Sequence, residues 1–405
     1  MEEAEQISAL HIGKENSMGI YVNPGNTVYR RALKNQIYID KTELIRHTNS
    51  RIGSYDQYMC VSRPRRFGKS MAADMLVAYY SRGCDSKELF AGKKIESDPS
   101  FQEHLNKYNV IRIDVQQYIK RYEDVSEFLG EIQKSVLEEL AEEFGTHCRL
   151  HAKMGLSEAL NRIFTKTGSG FVFIIDEWDC VFRMLQDRED LQKQYLDFLR
   201  SLFKGSVYTE LVYMTGILPI KKYGDQSAVN MFEEFSMTDP KDLSCYFGFT
   251  EEEVMAECTA RSVDFEKMRD WYDGYRINGS HIYNPKSVTD ALKWKRFKNY
   301  WTGTETYESL KAYIDRNFDG LKEAIIEMIG GGRCVIDPLT FRNDLTSLES
   351  RDDVLTLLVH LGYLTYDGES EEVSIPNLEI RQEFERAVKS GSNWAGLMQS
   401  LFSER

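Results

Sequence analysis

Short apolar runs alternate with amphipathic stretches along the first 240 residues of the chain. The apolar runs predict strands at 58–61, 110–115, 171–175 and 211–214, with a weaker fifth strand near 233–237. Helical periodicity predicts helices over 69–80, about 125–144, 157–165 and about 190–204. Strands and helices in alternation are typical of an α/β domain with a mainly parallel sheet, whose ligands bind beyond the carboxyl ends of the strands.

The pattern changes after about residue 240, where helix signals dominate. The run Thr250–Glu253 predicts a capped helix start, and Asn284 followed by Pro285 suits the cap and first position of another helix. Residues 354–380 follow the order helix, turn, strand, turn, strand, helix, with a glycine at each turn. That order resembles a winged-helix module.

These changes divide the chain into four predicted parts. They are an N-terminal segment that packs on the core (1–52), the α/β domain (53–240), a helical region with an aromatic turn (241–305) and a winged-helix-like domain (306–405). A glycine triplet, Gly330–Gly332, is a candidate hinge within the last part.

Charge and cysteine content limit which partners and which cellular compartment the protein can have. The net charge is −13, so the chain cannot coat nucleic acid by bulk electrostatics, although the Arg-rich stretch 63–66 forms a local basic patch. Seven scattered cysteines show no metal-binding spacing, and the first 16 residues lack the apolar stretch of an export signal. No apolar run approaches the roughly 18 residues of a membrane helix. We therefore expect a cytoplasmic protein with reduced thiols and no membrane partner.

The first candidate site is Gly68-Lys69-Ser70, which lies between a predicted strand and a predicted helix. In a phosphate-binding loop, backbone N–H groups and the helix N-terminus hold phosphates, the lysine reaches the outer phosphates and the hydroxyl binds Mg²⁺. The full pattern places its first glycine at position 63, where this chain has arginine. A Gly-Lys-Ser sequence also occurs by chance at helix starts.

The second candidate site is Asp176-Glu177, which ends the apolar run of the third predicted strand. In a nucleotide triphosphatase, the aspartate at this position supports Mg²⁺, and the adjacent glutamate can polarise the attacking water. The alternative is that these carboxylates cap the next helix, a role that suits Asp179 best. The order and strand-end placement of the two motifs favour a triphosphatase site.

Three further residues are weaker candidates. Thr215 ends the next strand, where a polar residue can sense the γ-phosphate, but threonine is also common at strand ends. Arg65 and Arg66 flank the phosphate loop and could contact phosphates or act as arginine fingers on a neighbouring subunit of a homo-oligomer. A solvated basic loop explains them equally well.

The segment Ser62–Ser70 resembles the signature phosphate loop of the predicted AAA-ATPase-like family of bacteria and archaea, which also replaces the first glycine. Further segments are similar to motifs of this family in the same order: Tyr38–Thr42, Ile175–Asp179, Thr215–Ile217, Phe247–Thr250, Trp271–Tyr275, Tyr283–Pro285, Gly362–Thr365 and Ile375–Asn377. The Walker B segment has Trp178 where the family usually has tyrosine. The resemblance covers about residues 20–385.

This resemblance implies a Mg²⁺-dependent ATPase of the P-loop class, with an extra strand between the Walker strands and a catalytic glutamate. The implied sites are a nucleotide-binding set (Arg65, Arg66, Phe67, Gly68, Lys69, Ser70, Met71), a catalytic set (Lys69, Glu177, Thr215) and metal ligands (Ser70, Asp176). Many members continue into a PD-(D/E)XK nuclease-like domain, but no Asp…Glu-x-Lys constellation follows residue 385. We therefore expect a member that lacks this nuclease.

Three functions remain open from the sequence. The first is an ATP-driven switch or motor that moves the α/β domain against the C-terminal part. The second is a non-catalytic, nucleotide-gated module that docks a protein or DNA through the winged-helix-like part. The third is a small-molecule kinase, which the Asp176-Glu177 pair disfavours because it suits water as the acceptor. In related ATPases the Asp40–Thr42 position packs near adenine, but capping of a helix at 42–47 explains these residues slightly better.

Overall fold

In the computed structural model of the protein, the described residues are 19–119, 125–151, 154–220, 229–301, 312–314, 318, 320–342 and 348–389. A central parallel sheet is built from five strands: β1 (Tyr58–Ser62), β2 (Asn109–Asp114), β3 (Phe171–Asp176), β4 (Thr209–Gly216) and β5 (Glu233–Phe235). Their order in the sheet is β2-β3-β4-β1-β5, and every neighbouring pair is parallel. All five predicted strands are confirmed, and β4 lies between β1 and β3 as an extra strand should.

Ten α-helices accompany the sheet within the described residues before 220. They are α1 (Thr27–Ala32), α2 (Leu44–Asn49), α3 (Lys69–Tyr80), α4 (Lys87–Phe90), α5 (Phe101–His104), α6 (Val115–Ile119), α7 (Val125–Phe144), α8 (Leu156–Thr167), α9 (Cys180–Met184) and α10 (Glu189–Phe203). Alternate strand residues face opposite sides of the sheet. Phe173 packs in the core that includes α7, α8 and α10, whereas Ile174 packs in the core that includes α3.

The N-terminal segment runs along the outer edge of β2. The Asn23 N–H donates to the Val110 carbonyl at 2.8 Å, and the Arg112 N–H donates to the Tyr21 carbonyl at 2.9 Å. Further along, Tyr29 and the α2 residues Leu44 and Ile45 are buried in the same core as α3. This segment therefore contributes both backbone pairing and apolar surface to the α/β part of the chain.

A smaller antiparallel sheet and three helices follow. The strands are β6 (Phe249–Thr250), β7 (Tyr275–Ile277) and β8 (Ser280–Tyr283), and the helices are α11 (Glu251–Arg261), α12 (Phe265–Tyr272) and α13 (Pro285–Trp294). The Thr250 hydroxyl accepts from the Glu253 N–H, and the Glu253 carboxylate accepts from the Thr250 N–H. Asn284 caps α13 by accepting from the Lys286 N–H at 2.9 Å. Both predicted helix starts are confirmed.

The last described part contains three helices and a three-stranded antiparallel sheet. These are α14 (Leu321–Ile329), β9 (Cys334–Val335), α15 (Arg351–Leu361), β10 (Thr365–Asp367), β11 (Glu372–Ser374) and α16 (Leu378–Lys389), with sheet order β10-β11-β9. The predicted order of helix, two strands and helix over 354–380 is present. Its assignment as a winged helix stays a prediction.

The C-terminal part packs directly on the loop that joins β1 to α3. A Cβ atom at Gly362, whose φ is +86°, would lie 2.7 Å from the Pro64 side chain. The Phe67 and Tyr275 rings meet edge to face with centroids 5.1 Å apart, and the Tyr275 hydroxyl donates to the Gly362 carbonyl. This contact connects the two halves of the molecule beside the candidate site.

Two expectations about the whole chain concern membranes and thiols. Among the described residues, no helix combines the length and apolar character needed to span a bilayer. All seven cysteines belong to the described part of the chain, and each is a free thiol.

Candidate nucleotide-binding site

The loop between β1 and α3 ends at the N-terminus of a 12-residue helix. Gly68 adopts a left-handed conformation with φ +89°, which favours glycine, and Lys69 and Ser70 begin the helix. The first N–H groups of a helix have no partner within it, so they are available to an anion. The local geometry is therefore suited to binding phosphate.

Lys69 is buried and turned back onto this loop. Its Nζ donates to the carbonyl oxygens of Arg63 and Pro64, each at 2.9 Å. Burial lowers the pKa of Lys69, and the nearby carboxylates of Glu177, Asp179 and Asp176 oppose that shift. The ammonium thus lies in the field of the acidic residues at the end of β3.

Arg63, at the position of the missing first glycine, is a structural residue. Its side chain is completely buried, and Nη1 donates to the carbonyls of Ser62, Phe235 and Ser236 at 2.7–3.1 Å. The guanidinium also lies over the Phe247 ring, and burial lowers its pKa to about 10. The arginine side chain thus connects the phosphate loop to the end of β5 by hydrogen bonds. A glycine at this position could not form these bonds.

The remaining loop residues present mainly backbone to the site. Arg66 has a left-handed φ of +71°, and its Nη1 donates to the Tyr300 carbonyl at 3.3 Å. The Phe67 side chain is buried in the C-terminal core, and its carbonyl accepts from the Gly248 N–H. Arg65 and Met71 line the cavity described below.

Asp176 lies at the carboxyl end of β3, in register with Asp114 on one neighbouring strand and Thr215 on the other. Burial raises the pKa of Asp176 to about 6, while the Ser70 hydroxyl and the Lys69 ammonium act in the opposite direction. Its carboxylate also accepts from the Glu177 N–H at 3.0 Å. A hydroxyl and a carboxylate are hard oxygen donors of the kind that Mg²⁺ prefers, so this pair fits that ion.

Glu177 forms an ion pair with Arg183, which also pairs with Asp179 at 3.0 Å. Glu177 has a left-handed φ of +52°, and its side chain is only 20% exposed. Sequence reasoning missed Arg183, although its position one helical turn after Asp179 was a signal for such a pair. In this structure the guanidinium therefore holds the carboxylate predicted to activate water.

Asp179 precedes α9 but does not cap it with its side chain, so the alternative capping role considered for this residue is absent. Its Oδ2 accepts from the N–H groups of Ile217 and Leu218 at 3.1 and 2.9 Å. A Cβ at Gly216 would lie 2.5 Å from the Asp179 carboxylate, so glycine is needed for this approach. Asp179 thereby joins the loop after β4 to the Glu177–Arg183 pair.

Thr215 is buried at the end of β4, where its carbonyl accepts from the Trp178 N–H at 3.1 Å. It is next to Asp176 in the sheet, but it is not among the described residues that line the cavity. The structure thus brings Thr215 to the edge of the site and not to its surface.

An open cavity of about 950 Å³ lies over the phosphate loop. Its walls include 35–39 and Lys41 of the N-terminal segment, 65–72 of the loop and α3, Glu177 and Arg183, and Lys286, Thr289, Asp290 and Lys293 of α13. The volume is within the range of small-molecule sites. Lys69 and Glu177, which are 108 positions apart in sequence, face the same cavity.

Residues 29–224 match the profile of the family described as "Predicted AAA-ATPase". This segment, just under half of the chain, is similar to that family. The match includes the phosphate loop, the end of β3 and Thr215, so the family resemblance inferred from the motifs is confirmed.

A curated relative, "Uncharacterized protein in vnfD 5'region" of Azotobacter chroococcum, is 24% identical over 350 residues. The alignment covers 81% of this chain but only 62% of that protein. Among solved structures, a Walker-type ATPase of Pyrococcus abyssi is similar with a TM-score of 0.42 and 15% identity, covering 85% of this chain and 94% of that one. The nucleotide-bound ORC2 protein of Aeropyrum pernix has a TM-score of 0.34 and 13% identity, covering 89% of this chain and 98% of that one.

The side chains of the N-terminal motif, Tyr38–Thr42, lie in two different places. Tyr38 and Lys41 line the cavity, whereas Asp40 and Thr42 accept from the N–H groups of Lys94 and Ile95. The predicted helix at 42–47 begins later, at α2, and its N-cap residue makes no side-chain cap. The Asp40 carboxylate also accepts from the Thr42 N–H at 2.9 Å, so it caps the turn before α2, and neither Asp40 nor Thr42 caps the helix itself.

Proposed function

We propose that the protein binds ATP–Mg²⁺ in this cavity and hydrolyses ATP as a nucleotide-driven switch or motor. The observation that carries the proposal is the convergence of the phosphate loop and Glu177 on one cavity. Asp176 is not among the described residues that line this cavity, but it interacts with Ser70 and Lys69, which do. The lysine, the hydroxyl and the two carboxylates come from segments more than 100 positions apart, and they are the groups that phosphoryl transfer to water requires.

Each residue has a distinct proposed role. The backbone of Arg65–Met71 cradles the phosphates, and Lys69 neutralises the outer ones once its ammonium leaves the loop carbonyls. Ser70 and Asp176 would hold Mg²⁺, which supplies charge neutralisation of the phosphates. Glu177 orients the attacking water, and Thr215 senses the γ-phosphate from the next strand.

Turnover requires two of the present contacts to change. Lys69 binds the carbonyls of Arg63 and Pro64, and the Glu177 carboxylate is occupied by Arg183. We propose that nucleotide binding draws Lys69 to the phosphates and releases Glu177 toward water.

The switch would act through the contact between the phosphate loop and the C-terminal part. Pro64 lies against Gly362, and Phe67 lies against Tyr275. A movement of the phosphate loop would therefore displace Gly362 and Tyr275. The divisions 53–240, 241–305 and 306–405 are proposed as the units that shift. The winged-helix-like part is the proposed docking surface for a protein or DNA partner.

The test is an ATPase assay on the purified chain and on two variants, with and without DNA. Lys69→Ala should abolish nucleotide binding, whereas Glu177→Gln should retain binding and lose turnover. Binding is measured with a fluorescent ATP analogue and turnover by phosphate release. If Glu177→Gln hydrolyses ATP as fast as the parent, the assigned role of Glu177 is wrong.

The ion pair between Glu177 and Arg183 favours a second candidate, a non-catalytic nucleotide-gated module. If the pair persists with ATP bound, the nucleotide acts as a structural ligand or a slow switch. Nucleotide-dependent capture of a partner without phosphate release would support this candidate, and measurable turnover that depends on Glu177 would exclude it.

A further inference from the structure

The segment at the end of α13 and just beyond it has a charge opposite to that of the whole protein. Lys293, Lys295, Arg296 and Lys298 give residues 293–298 a net charge of +4, whereas the chain carries −13. The side chain of Trp294, within the same six residues, is 59% exposed. We call residues 293–298 the basic–aromatic segment.

The four cations of this segment are available to a ligand. All four residues are exposed, and within the described residues no carboxylate lies within salt-bridge distance of their side-chain nitrogens. The nearest acidic residue in sequence, Asp290, instead pairs with Lys286 at 2.6 Å. The ammonium groups of Lys293 and Lys298 lie over the Trp294 and Tyr300 rings. Because no carboxylate of the described residues neutralises the four cations, they form a local anion-binding surface on a protein that is acidic elsewhere.

The backbone that carries these side chains is held firmly in place. The Tyr272 hydroxyl donates to the Lys298 carbonyl at 2.8 Å. Directly after the segment, the buried Glu379 carboxylate accepts from the N–H groups of Tyr300 and Trp301 at 2.5 and 2.9 Å. The Glu379 carboxylate thus faces the protein interior and fixes the backbone, whereas the side chains of the four cations are exposed. A fixed backbone lowers the entropy cost of binding a ligand.

The aromatic side chain decides which anionic partner fits. The Lys293 ammonium lies 4.9 Å from the centroid of the exposed Trp294 ring, so a flat aromatic surface and positive charge are adjacent. Bases stack on such rings while neighbouring cations meet the phosphates. A membrane surface would require several exposed apolar side chains, but Trp294 is the one large exposed apolar residue among the described positions 285–301.

From these observations we propose that the basic–aromatic segment binds single-stranded nucleic acid, with Trp294 stacking on a base and the cations contacting phosphates. This site is separate from the winged-helix-like part and does not depend on ATP hydrolysis. It borders the nucleotide cavity, because Lys293 lines that cavity and Arg66 of the phosphate loop donates to the Tyr300 carbonyl.

The test measures binding of fluorescein-labelled single-stranded DNA and RNA oligonucleotides of about 12 residues to the full chain without nucleotide. Fluorescence anisotropy is recorded between 50 and 200 mM salt, which are conditions where phosphate contacts dominate. Trp294→Ala should weaken binding roughly 5- to 100-fold, and Trp294→Phe should retain most of it. The triple variant Lys295→Ala/Arg296→Ala/Lys298→Ala should weaken binding and flatten the salt slope by about 2.

The matched control removes the same charge elsewhere, in the triple variant Arg149→Ala/Lys166→Ala/Lys204→Ala, which replaces three exposed residues. Binding that survives this control and fails in the segment variants supports the proposal. DNA and RNA bound equally well would indicate stacking and phosphate contact, and a preference for one would identify the natural strand.

Three results would overturn the proposal: equal loss in the control variant, parental affinity of Trp294→Ala, or capture of anionic phosphatidylserine vesicles without oligonucleotide binding. Circular dichroism of each variant separates loss of binding from loss of fold. Because no nucleotide is present, a failure here is independent of the proposed ATPase activity.

Discussion

Asp176 in the α/β part and Glu379 in the C-terminal part are both buried carboxylates with a raised pKa, but their neighbours differ. Glu379 accepts from the Ser287 hydroxyl and from two backbone N–H groups, at 2.5–2.9 Å. Asp176 accepts from the Glu177 N–H and interacts with Ser70 and Lys69. The partners of Glu379 hold the fold together, whereas two partners of Asp176 are themselves candidate ligands for phosphate and metal.

This difference separates a structural charge from a functional one. Burying a carboxylate is costly unless hydrogen bonds or opposite charge compensate for the lost water. At Glu379, donors from three residues of the chain compensate only in part, since burial still raises the pKa of this carboxyl group to about 7. At Asp176, Ser70 and Lys69 are also the proposed ligands of Mg²⁺ and phosphate. A bound cation would therefore supply the positive charge that this buried carboxylate lacks.

Asp176→Asn should reduce Mg²⁺-dependent ATP hydrolysis by about 100-fold or more, because the metal stabilises the developing charge by several kcal/mol. Phosphate release at saturating ATP measures this effect. Asp114→Asn is the matched control, since Asp114 lies beside Asp176 in the sheet but is half-buried and accepts from Gln116. If both variants lose the same fraction of ATP hydrolysis, the activity depends on negative charge at this edge of the sheet and not on Asp176 as a metal ligand.

Glu379→Ala should lower the free energy of unfolding by about 2–4 kcal/mol, because two buried N–H groups and a hydroxyl lose their acceptor. Chemical denaturation with urea measures the change. Glu385→Ala, which removes a partly exposed partner of Arg381 on the same helix, should cost less than about 1 kcal/mol. Similar losses in the two variants would contradict the role of Glu379 as an anchor.

Glu379→Gln should become more stable relative to the parent as the pH rises from 5 to 8. Burial raises the pKa of Glu379 to about 7 from the ordinary 4.5. The folded parent therefore keeps a proton that the unfolded chain releases, and stability is lost as pH rises through about 7. The variant has no such proton, so its advantage should grow by about 1–3 kcal/mol. Melting temperatures of both proteins at pH 5 and pH 8 measure this, and parallel pH profiles would refute it.

Thr250→Ala should cost about 1 kcal/mol through loss of the capping box at α11, without a pH dependence between 5 and 8. The same urea titration measures it. The loss of unfolding free energy at this cap is the reference value for the losses at the buried carboxylates. Ser350→Ala, which removes the capping box of α15, should give a similar loss. A loss as large as that of Glu379→Ala would mean that the cap has a further role.

Most of the secondary structure around the site could be predicted from the sequence. The strand at 171–176 is a continuous apolar run, and the helix at 69–80 follows directly on the Gly68 turn, so both are encoded by neighbouring residues. Thr250 and Asn284 marked helix starts for the same reason. The side-chain contacts of Arg63 and Asp179 could not be assigned in this way, because their main partners include backbone groups on other elements. The ion pairs of Arg183 with Asp179 and Glu177 are local in sequence and were missed.

By itself, the sequence determined the order of strands and helices, the phosphate loop and the acidic pair, since each depends on residues close together in the chain. The contacts that required the folded chain are the buried hydrogen bonds of Arg63 to the end of β5, those of Asp179 to the Ile217 and Leu218 N–H groups, and the packing of Gly362 on Pro64. These contacts depend on how distant segments meet once the sheet order β2-β3-β4-β1-β5 is formed. The strand order cannot be predicted from a local sequence pattern. The contacts that stabilise it form only when the sheet and the C-terminal part are packed together.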